Sequence, residues 1–325
     1  MRIAITGGAG FIGSELVRAA LAAGVEVAVL DDLSTGSAQN LTGLDVDFVQ
    51  GSILDDEALA ETLSGADSVV HLAALASVAL SLRDPAATHL TNATGSLAVL
   101  EAARSAGVDH VVVASSSAVY GTNPALPIGE REWVRPMSPY GVSKLATEQY
   151  ALAYQDSFGL ATLAFRLFNV YGPRQAADHA YAAVVPAFLD ALLDGRPVPL
   201  HGDGTQSRDF TYVGTVSRVL LESAVRRVSH SDPVNLAFGN NTDLNALLSL
   251  AQSLTGRVVE VTPLPSRAGD VKHSQADNSV LRSLFPGVAP VELPEGLAAT
   301  IAWFEESKSA RLQGVSTGTR TASTH

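Results

Sequence analysis

Tyr140 and Lys144 stand four residues apart, and Ser115-Ser116-Ser117 lies some way upstream of them. On a helix, a spacing of four puts both side chains on one face. A phenol has a reference pKa of about 10 and is a poor base near neutrality. An ammonium one turn away favours the phenolate and lowers that value. A tyrosine tuned in this way, beside a serine hydroxyl, is a credible base and oxyanion partner for a substrate hydroxyl. Taken singly, each feature has a plainer explanation. Tyr and Lys at this spacing are common on helices, and a serine run after a strand is often a turn.

The elements that must position these groups are legible. Ser138-Pro139 opens a helix, with serine as N-cap and proline in the first turn, that runs to about Phe158 and ends at Gly159. Val111 to Ala114 reads as a strand and delivers the serines to its C-terminal end. At the head of the chain, Arg2 to Thr6 reads as a short buried strand, and Ser14 to Ala23 has helical spacing closed by Gly24. Between them runs Thr6-Gly7-Gly8-Ala9-Gly10-Phe11-Ile12-Gly13. A strand that turns sharply into a helix needs glycine for the turn, for backbone contact with a pyrophosphate and for helix–strand packing. The helix N-terminus then offers free N–H groups to the phosphates. A second strand, Val25 to Leu30, ends on Asp31-Asp32. An acid there can accept hydrogen bonds from both hydroxyls of an adenosine ribose and would repel a 2′-phosphate, so the cofactor expected is NAD rather than NADP. A nicotinamide cation near Tyr140 would push its pKa down further. Behind such a loop and in this order, the Ser, Tyr and Lys point to catalysis.

The rest of the chain fits this frame. Val46 to Gln50 looks like a third strand, Asp55 to Leu63 a short helix, Ser68 to Leu72 a fourth strand, and Ala86 to Ala106 one long helix. Ala161 to Leu167 is a sixth strand, after a proline-rich and charged loop over 123–135. Alternating strands and helices predict an α/β fold, a doubly wound parallel sheet of Rossmann type with helices on both faces. Beyond Gly172-Pro173 the periodicity is irregular; Val184 to Leu193 reads as a helix and Val234 to Phe238 as a strand returning to the sheet. We therefore expect a dinucleotide-binding domain over 1–171 with a returning strand near 234–238. A smaller, interleaved substrate domain is expected over 172–310, and a disordered tail over 311–325. A formal net charge of −12 argues against a nucleic-acid surface. No apolar run is long enough to span a bilayer. The absence of cysteine excludes disulfides and thiolate chemistry, and no metal-ligating set stands out. Because the chain starts directly on a strand, no signal peptide is expected, and the cytoplasm is the default.

With these pieces in place, the sequence resembles the extended short-chain dehydrogenase/reductase family, and within it the UDP-sugar 4-epimerases. The matching stretches are Thr6–Gly13, Asp31–Gly36, His71-Leu72-Ala73-Ala74, Asn92, Ser115–Gly121, Tyr140–Lys144, Arg166–Arg174, Arg208-Asp209-Phe210 and Arg267-Ala268-Gly269-Asp270. They run from Met1 to about Asp277. The family fold is a Rossmann sheet with a small C-terminal substrate domain, usually as a homodimer. The resemblance implies dimer contacts through the helices containing Asn92–Ala106 and Tyr140–Phe158.

Roles follow by resemblance. Tyr140 is the expected base, Lys144 its ribose-binding tuner and Ser116 the hydroxyl partner, with Ser117 the alternative. NAD is expected against Gly7, Gly10, Phe11, Ile12 and Gly13, and against Asp31, Asp32, Leu33, Ser34, Thr35 and Gly36. Its other expected contacts are Ser52, Ile53, Leu72, Ala73, Ala74, Asn92, Ser115 and Phe168. The substrate is expected against Ser77, Ser116, Ser117, Asn169, Val185, Arg208, Arg267, Asp270 and Ser274. Of these, Asn169, Arg208, Arg267 and Asp270 hold the UDP, with arginine forks on the diphosphate and Asp270 on the ribose.

Two departures from the family pattern matter. After the third strand the family often has Gly-Asp-Ile, where the acid reads the adenine amine; here it is Gly51-Ser52-Ile53. Related dehydratases and decarboxylases carry acids just before Val-Tyr-Gly; here Ser117-Ala118 stands there, which disfavours elimination. The implied mechanism is reversible oxidation at the sugar 4-hydroxyl, with hydride passing to NAD⁺ and returning to the other face of a 4-keto sugar. NAD is therefore retained through turnover. The expected substrates are UDP-glucose/UDP-galactose or their N-acetyl forms. Ser274 would leave room for an N-acetyl group that a tyrosine would fill, and Tyr181-Ala182-Ala183-Val184 resembles the branch accepting N-acetylhexosamines. UDP-glucuronate 4-epimerization would need a basic residue facing C6, which the sequence does not locate. A non-catalytic NAD-sensing protein on the same fold would have no need of the Ser, Tyr and Lys.

Overall fold

The computed structural model describes residues 1–177, 183–265 and 271–318. The chain begins with β1 (Arg2–Thr6), α1 (Phe11–Ala22), β2 (Glu26–Asp31), β3 (Asp47–Gln50), α2 (Asp56–Leu63) and β4 (Ser68–His71). It goes on through α3 (Val78–Arg83), α4 (Pro85–His89), α5 (Gly95–Ser105), β5 (His110–Ser116), α6 (Pro139–Phe158), β6 (Ala161–Leu167) and β7 (Val170–Tyr171). Then come α7 (Val184–Leu193), β8 (Val198–His201), β9 (Ser207–Arg208), β10 (Thr211–Tyr212), α8 (Val213–Arg226) and β11 (Val234–Leu236). The last elements are β12 (Thr242–Asp243), α9 (Leu244–Thr255), β13 (Val261–Leu264), α10 (Ser279–Leu284) and α11 (Leu293–Gly318).

Seven strands form one sheet in the order β11-β6-β5-β4-β1-β2-β3, and every neighbouring pair is parallel. The expected return of the chain to the sheet is made by β11 beside β6, with Leu236 opposite Leu167. Alternation along the strands feeds two cores. Ile3, Ile5, Val29, Val70, Val112 and Phe165 point to the face covered by α1, α8 and α10. Ala4, Ala28, Leu30, Val69, Val111 and Val113 point to the face covered by α2, α5 and α6. Burial on both faces is why these strands read as continuous apolar runs. A third core joins α7, α9 and α11 around Phe188, Leu192, Leu247 and Leu297. A fourth, small one packs Val119, Tyr120, Ile128 and Phe168 against Ala237 and Ala276, beneath the sheet's C-terminal edge. Beyond residue 171, α8 and α10 also cover the sheet.

Three differences from the sequence expectation have physical causes. The first helix starts at Phe11, with Gly10 as N-cap, three residues earlier than its apolar spacing suggests. The long helix expected over Ala86–Ala106 is interrupted at Leu90–Thr94 by a π-type turn. That extra width seats Asn92, whose amide grips a neighbouring loop, and such turns gather at functional sites. The tail expected from residue 311 is helical to Gly318, since extending an already docked helix costs far less than nucleating one; residues 319–325 lie outside the described residues. Among the described residues no helix is long and apolar enough to cross a membrane, and no group of three His, Asp or Glu side chains could hold a metal ion.

Candidate active site

The β1–α1 turn is built for close approach. A Cβ at Gly13 would come 2.1 Å from the Gly7 carbonyl oxygen, so only glycine lets the helix start this tightly on the strand. Phe11 and Ile12 open α1, and their N–H groups belong to the first turn, where no intrahelical acceptor exists. Asp31, at the end of β2, is buried and clamps this turn: Oδ2 accepts from Ala9 N (2.9 Å) and Oδ1 from Leu33 N (2.8 Å). Burial pushes its pKa up, against those backbone hydrogen bonds. Each carboxylate oxygen keeps a second lone pair, enough to accept from a ribose. Leu33 takes a left-handed conformation, φ 60°, and Asp32 Oδ1 accepts from Ser34 N and Oγ, which fixes the loop through Thr35 to Gly36. Leu72, Ala73 and Ala74 follow β4 and back the same turn, where Leu72 N donates to the Thr6 carbonyl. These residues fit an adenine dinucleotide lying across the C-terminal edge of the sheet, with its pyrophosphate at the α1 N-terminus.

Several residues expected against the cofactor also make contacts within the protein. Ser52 Oγ accepts from Leu54 N (3.1 Å), and Ile53 is buried in the core against α5 and α2. Asn92 is 1% exposed; its Oδ1 accepts from Leu75 N (2.8 Å), and its Nδ2 donates to the Leu75 carbonyl (3.2 Å) and Ser143 Oγ (2.9 Å). It therefore shapes the pocket by pinning the loop after Ala74 to α6. Ser115 Oγ points into the protein, donating to Glu148 Oε2 (2.7 Å).

The Ser, Tyr and Lys converge. Ser138 caps α6 by accepting from Gly141 N (3.1 Å), and Gly159 closes the helix in the left-handed conformation. A Cβ on Gly141 would sit 2.9 Å from the Ala118 carbonyl, so glycine allows α6 to press onto the 3₁₀ turn Ser117–Val119. That contact brings the half-buried Tyr140 up to the Ser116 side chain, which acts to lower the phenol's pKa. Of the two candidate serines, Ser116 is the one that bears on the Tyr140 phenol; Ser117 lines the cavity described below. Lys144 is 4% exposed, its Nζ donates to the Ala114 carbonyl (2.9 Å), and burial lowers its pKa to about 8. Burial pushes the Tyr140 phenol up, opposed only by the Ser116 hydrogen bond. Buried His71 is held at about 3, by burial and then by the nearby Lys144, and so stays neutral between Thr6 Oγ1 (2.7 Å) and Ser96 Oγ (2.9 Å).

Two cavities share Asn169 and Arg208, and the second reaches the Ser117–Ala118 turn. One, of about 230 Å3, is walled by Val185, Phe188, Phe210 and Leu244, with Gln175, His201 and Gln206 as polar groups. The other, of about 270 Å3, is lined by Ser117, Phe168, His273 and Ser274 and by the apolar side chains Val78, Leu82, Leu126 and Met137. Asn169 and Arg208 border both. Asn169 holds φ 23° and donates from Nδ2 to the Asp209 carbonyl (3.4 Å). Arg208 donates to the carbonyls of Ser207 (2.8 Å) and Lys272 (3.3 Å). Asp209 orders the surrounding loops by accepting from Gly239 N, Asn240 N and Ala276 N. Ser77 is not among the residues lining either cavity; it caps α3, which carries Val78 and Leu82. Arg267 and Asp270 lie outside the described residues, as do Tyr181 and Ala182. Sequence reasoning missed Gln175, His201, Phe210, His273 and the α3 wall, which have no local periodicity that marks a pocket.

A Rossmann sheet, a glycine turn closed by an acid and a Ser–Tyr–Lys group beside a two-lobed cavity define a dinucleotide-dependent enzyme acting on a nucleotide-linked substrate. The chain belongs to the NAD dependent epimerase/dehydratase family, whose model matches residues 3–237. It is 37% identical over 310 residues to a UDP-glucose 4-epimerase of Mycolicibacterium smegmatis, covering 94% of this chain and 98% of that one. Among solved structures, it is similar to the UDP-N-acetylglucosamine 4-epimerase of Methanobrevibacter ruminantium, solved in complex with UDP-N-acetylmuramic acid (36% identity, 94% and 98% of the chains, TM-score 0.89). It is likewise similar to the Thermus thermophilus UDP-glucose 4-epimerase solved with NAD (38% identity, 94% and 99%, TM-score 0.86).

Proposed function

We propose that this protein inverts C4 of a UDP-hexose by transient oxidation to a 4-keto sugar. The observation that carries the reading is the pair of cavities bridged by Asn169 and Arg208. An aromatic and aliphatic lobe suits a uracil and ribose, a guanidinium at the junction suits a diphosphate, and the second lobe, under the turn that carries Ser116, suits the sugar. NAD, held by the Gly7–Gly13 turn and Asp31, supplies a reversible hydride acceptor. Tyr140 takes the proton of the sugar 4-hydroxyl on its phenolic oxygen and later returns it, while the Ser116 hydroxyl holds that oxygen in place. Lys144, largely protonated at neutral pH, steadies the developing phenolate. A sensor protein would gain nothing from burying a lysine at this cost, which favours the catalytic reading.

Residues 1–171 with β11 serve mainly as the cofactor unit in this reading, and residues 172–310 mainly as the substrate unit. The protein acts in the cytoplasm as a homodimer. The sugar lobe, open at Ser274 and walled by Val78, Leu82, Leu126 and Met137, supports acceptance of an N-acetyl group. A uronate would need a cation at C6. Apart from Arg208, only His273 can supply one among the described residues lining that lobe.

The test is incubation of the NAD-loaded protein with UDP-glucose, UDP-galactose, UDP-GlcNAc, UDP-GalNAc and UDP-glucuronate, with separation by anion exchange. Interconversion within the neutral pairs is expected. Tyr140→Phe should retain NAD and lose about 10²- to 10⁴-fold in turnover; parental turnover removes Tyr140 from the mechanism. Ser274→Tyr should suppress the N-acetyl reaction and spare UDP-galactose turnover. No activity on either N-acetyl sugar, or equal loss of both reactions, overturns that assignment.

A further inference from the structure

Glu148 lies on α6, one turn beyond Lys144 and two beyond Tyr140, on the same face. It has no exposed surface. Its Oε2 accepts from Ser115 Oγ (2.7 Å) and Arg166 Nε (3.0 Å), and its Oε1 accepts from Arg166 Nη2 (2.7 Å). Arg166, on β6, is 3% exposed, and its remaining nitrogen donates to the Glu130 carbonyl (3.0 Å). Its guanidinium stacks 4.7 Å from the centre of the Tyr120 ring. Tyr120 lines the sugar cavity, packs on Phe168 and donates its hydroxyl to Asn235 on β11 (2.6 Å).

An ion pair this deep is poor value for stability alone. Taking both charges out of water costs heavily, and apolar side chains of similar volume often serve as well or better. What this pair does that apolar packing cannot is fix direction. The planar fork holds α6, which carries Tyr140 and Lys144, at a set distance from Ser115, the residue before Ser116. The other side of the fork presses on the wall of the sugar cavity. We propose that Glu148 and Arg166 are a positioning pair that sets the geometry between the Ser116 hydroxyl and Tyr140–Lys144 and fixes Tyr120 at the sugar. The proposal rests on the catalytic reading of Tyr140.

The test uses the NAD-loaded protein with Glu148→Gln, and the double variant Glu148→Leu/Arg166→Met, which leaves no unpaired charge. Thermal unfolding, NAD content, kcat, KM and the pH profile of kcat are measured, each also in a Tyr140→Phe background. Both variants should fold and retain NAD. Turnover should fall on the order of 10- to 100-fold, the scale for small misplacements of reacting groups, with KM for the UDP-sugar within about twofold and a displaced acid limb in the pH profile. In the Tyr140→Phe background the same changes should cost little more, because groups acting as a unit are not additive. Folded variants with parental kcat, or losses as large without the phenol as with it, overturn the positioning role. If Glu148→Gln does not fold, the double variant decides alone, and if neither folds, the pair serves the fold and the proposal fails. Parental turnover in Tyr140→Phe itself overturns instead the catalytic reading beneath it.

Discussion

Lys144 carries its charge where charge is expensive. Its ammonium makes a hydrogen bond to the Ala114 carbonyl and is otherwise walled from water, and burial lowers its pKa from 10.5 to about 8. Below pH 8 the folded and unfolded chains both hold the proton, and the folded one bears the desolvation cost in full. Between about 8 and 10.5 the folded chain releases the proton first, so stability rises with pH and the cost disappears. The shift corresponds to about 3 kcal/mol, at roughly 1.4 kcal/mol per pH unit. In Lys144→Met the cost is absent at every pH, although the Ala114 carbonyl loses its partner. Urea unfolding from pH 7 to 10.5 should therefore show the parent gaining about 3 kcal/mol relative to the variant. A constant difference across that window contradicts the assignment. The spacing of Tyr140 and Lys144 was readable as one helix face. That Lys144 is held on a strand carbonyl depends on how α6 sits on β5.

At the scale of elements, α6 does two jobs with two faces. Gly141, Lys144, Glu148 and Ala151 are buried against the sheet. Away from that face Val142 and Tyr150 are exposed at 53% and 39%, Phe158 in the last turn of α6 at 58%, and Leu90, in the π-type turn before α5, at 49%. Exposed apolar side chains on these neighbouring segments would be covered in a dimer, and a second copy of the chain is the occupant we expect. Sedimentation should give twice the mass of one chain, and Val142→Glu should shift it towards the monomer without unfolding. A parent that sediments as a monomer ends the dimer reading. The interruption at Leu90–Thr94 was invisible in the sequence. Apolar spacing through Ala86–Ala106 is compatible with an unbroken helix, and only the Leu75 loop gripping Asn92 demands the wider turn.

At the scale of the molecule, the site forms where the sheet's C-terminal edge meets the packing of α7, α9 and α11. The sheet half was legible because its signals are local. Glycines at 7, 10 and 13, the acid at 31, the capped helix from Ser138 and both-face-buried strands each follow from backbone geometry within a few residues. What the chain does beyond Tyr171 was not, since strands of two residues such as β7, β9, β10 and β12 exist only by pairing with distant partners. Sequence alone determined the glycine turn, the alternation of strands and helices and the shared helix face of Tyr140 and Lys144, because steric and hydrogen-bonding rules act on neighbours. Tertiary structure alone decided that Ser117 lines a cavity and that Arg208 borders two of them. It alone made Glu148 and Arg166 a sealed pair, because burial and distance between remote segments arise only when the layers pack.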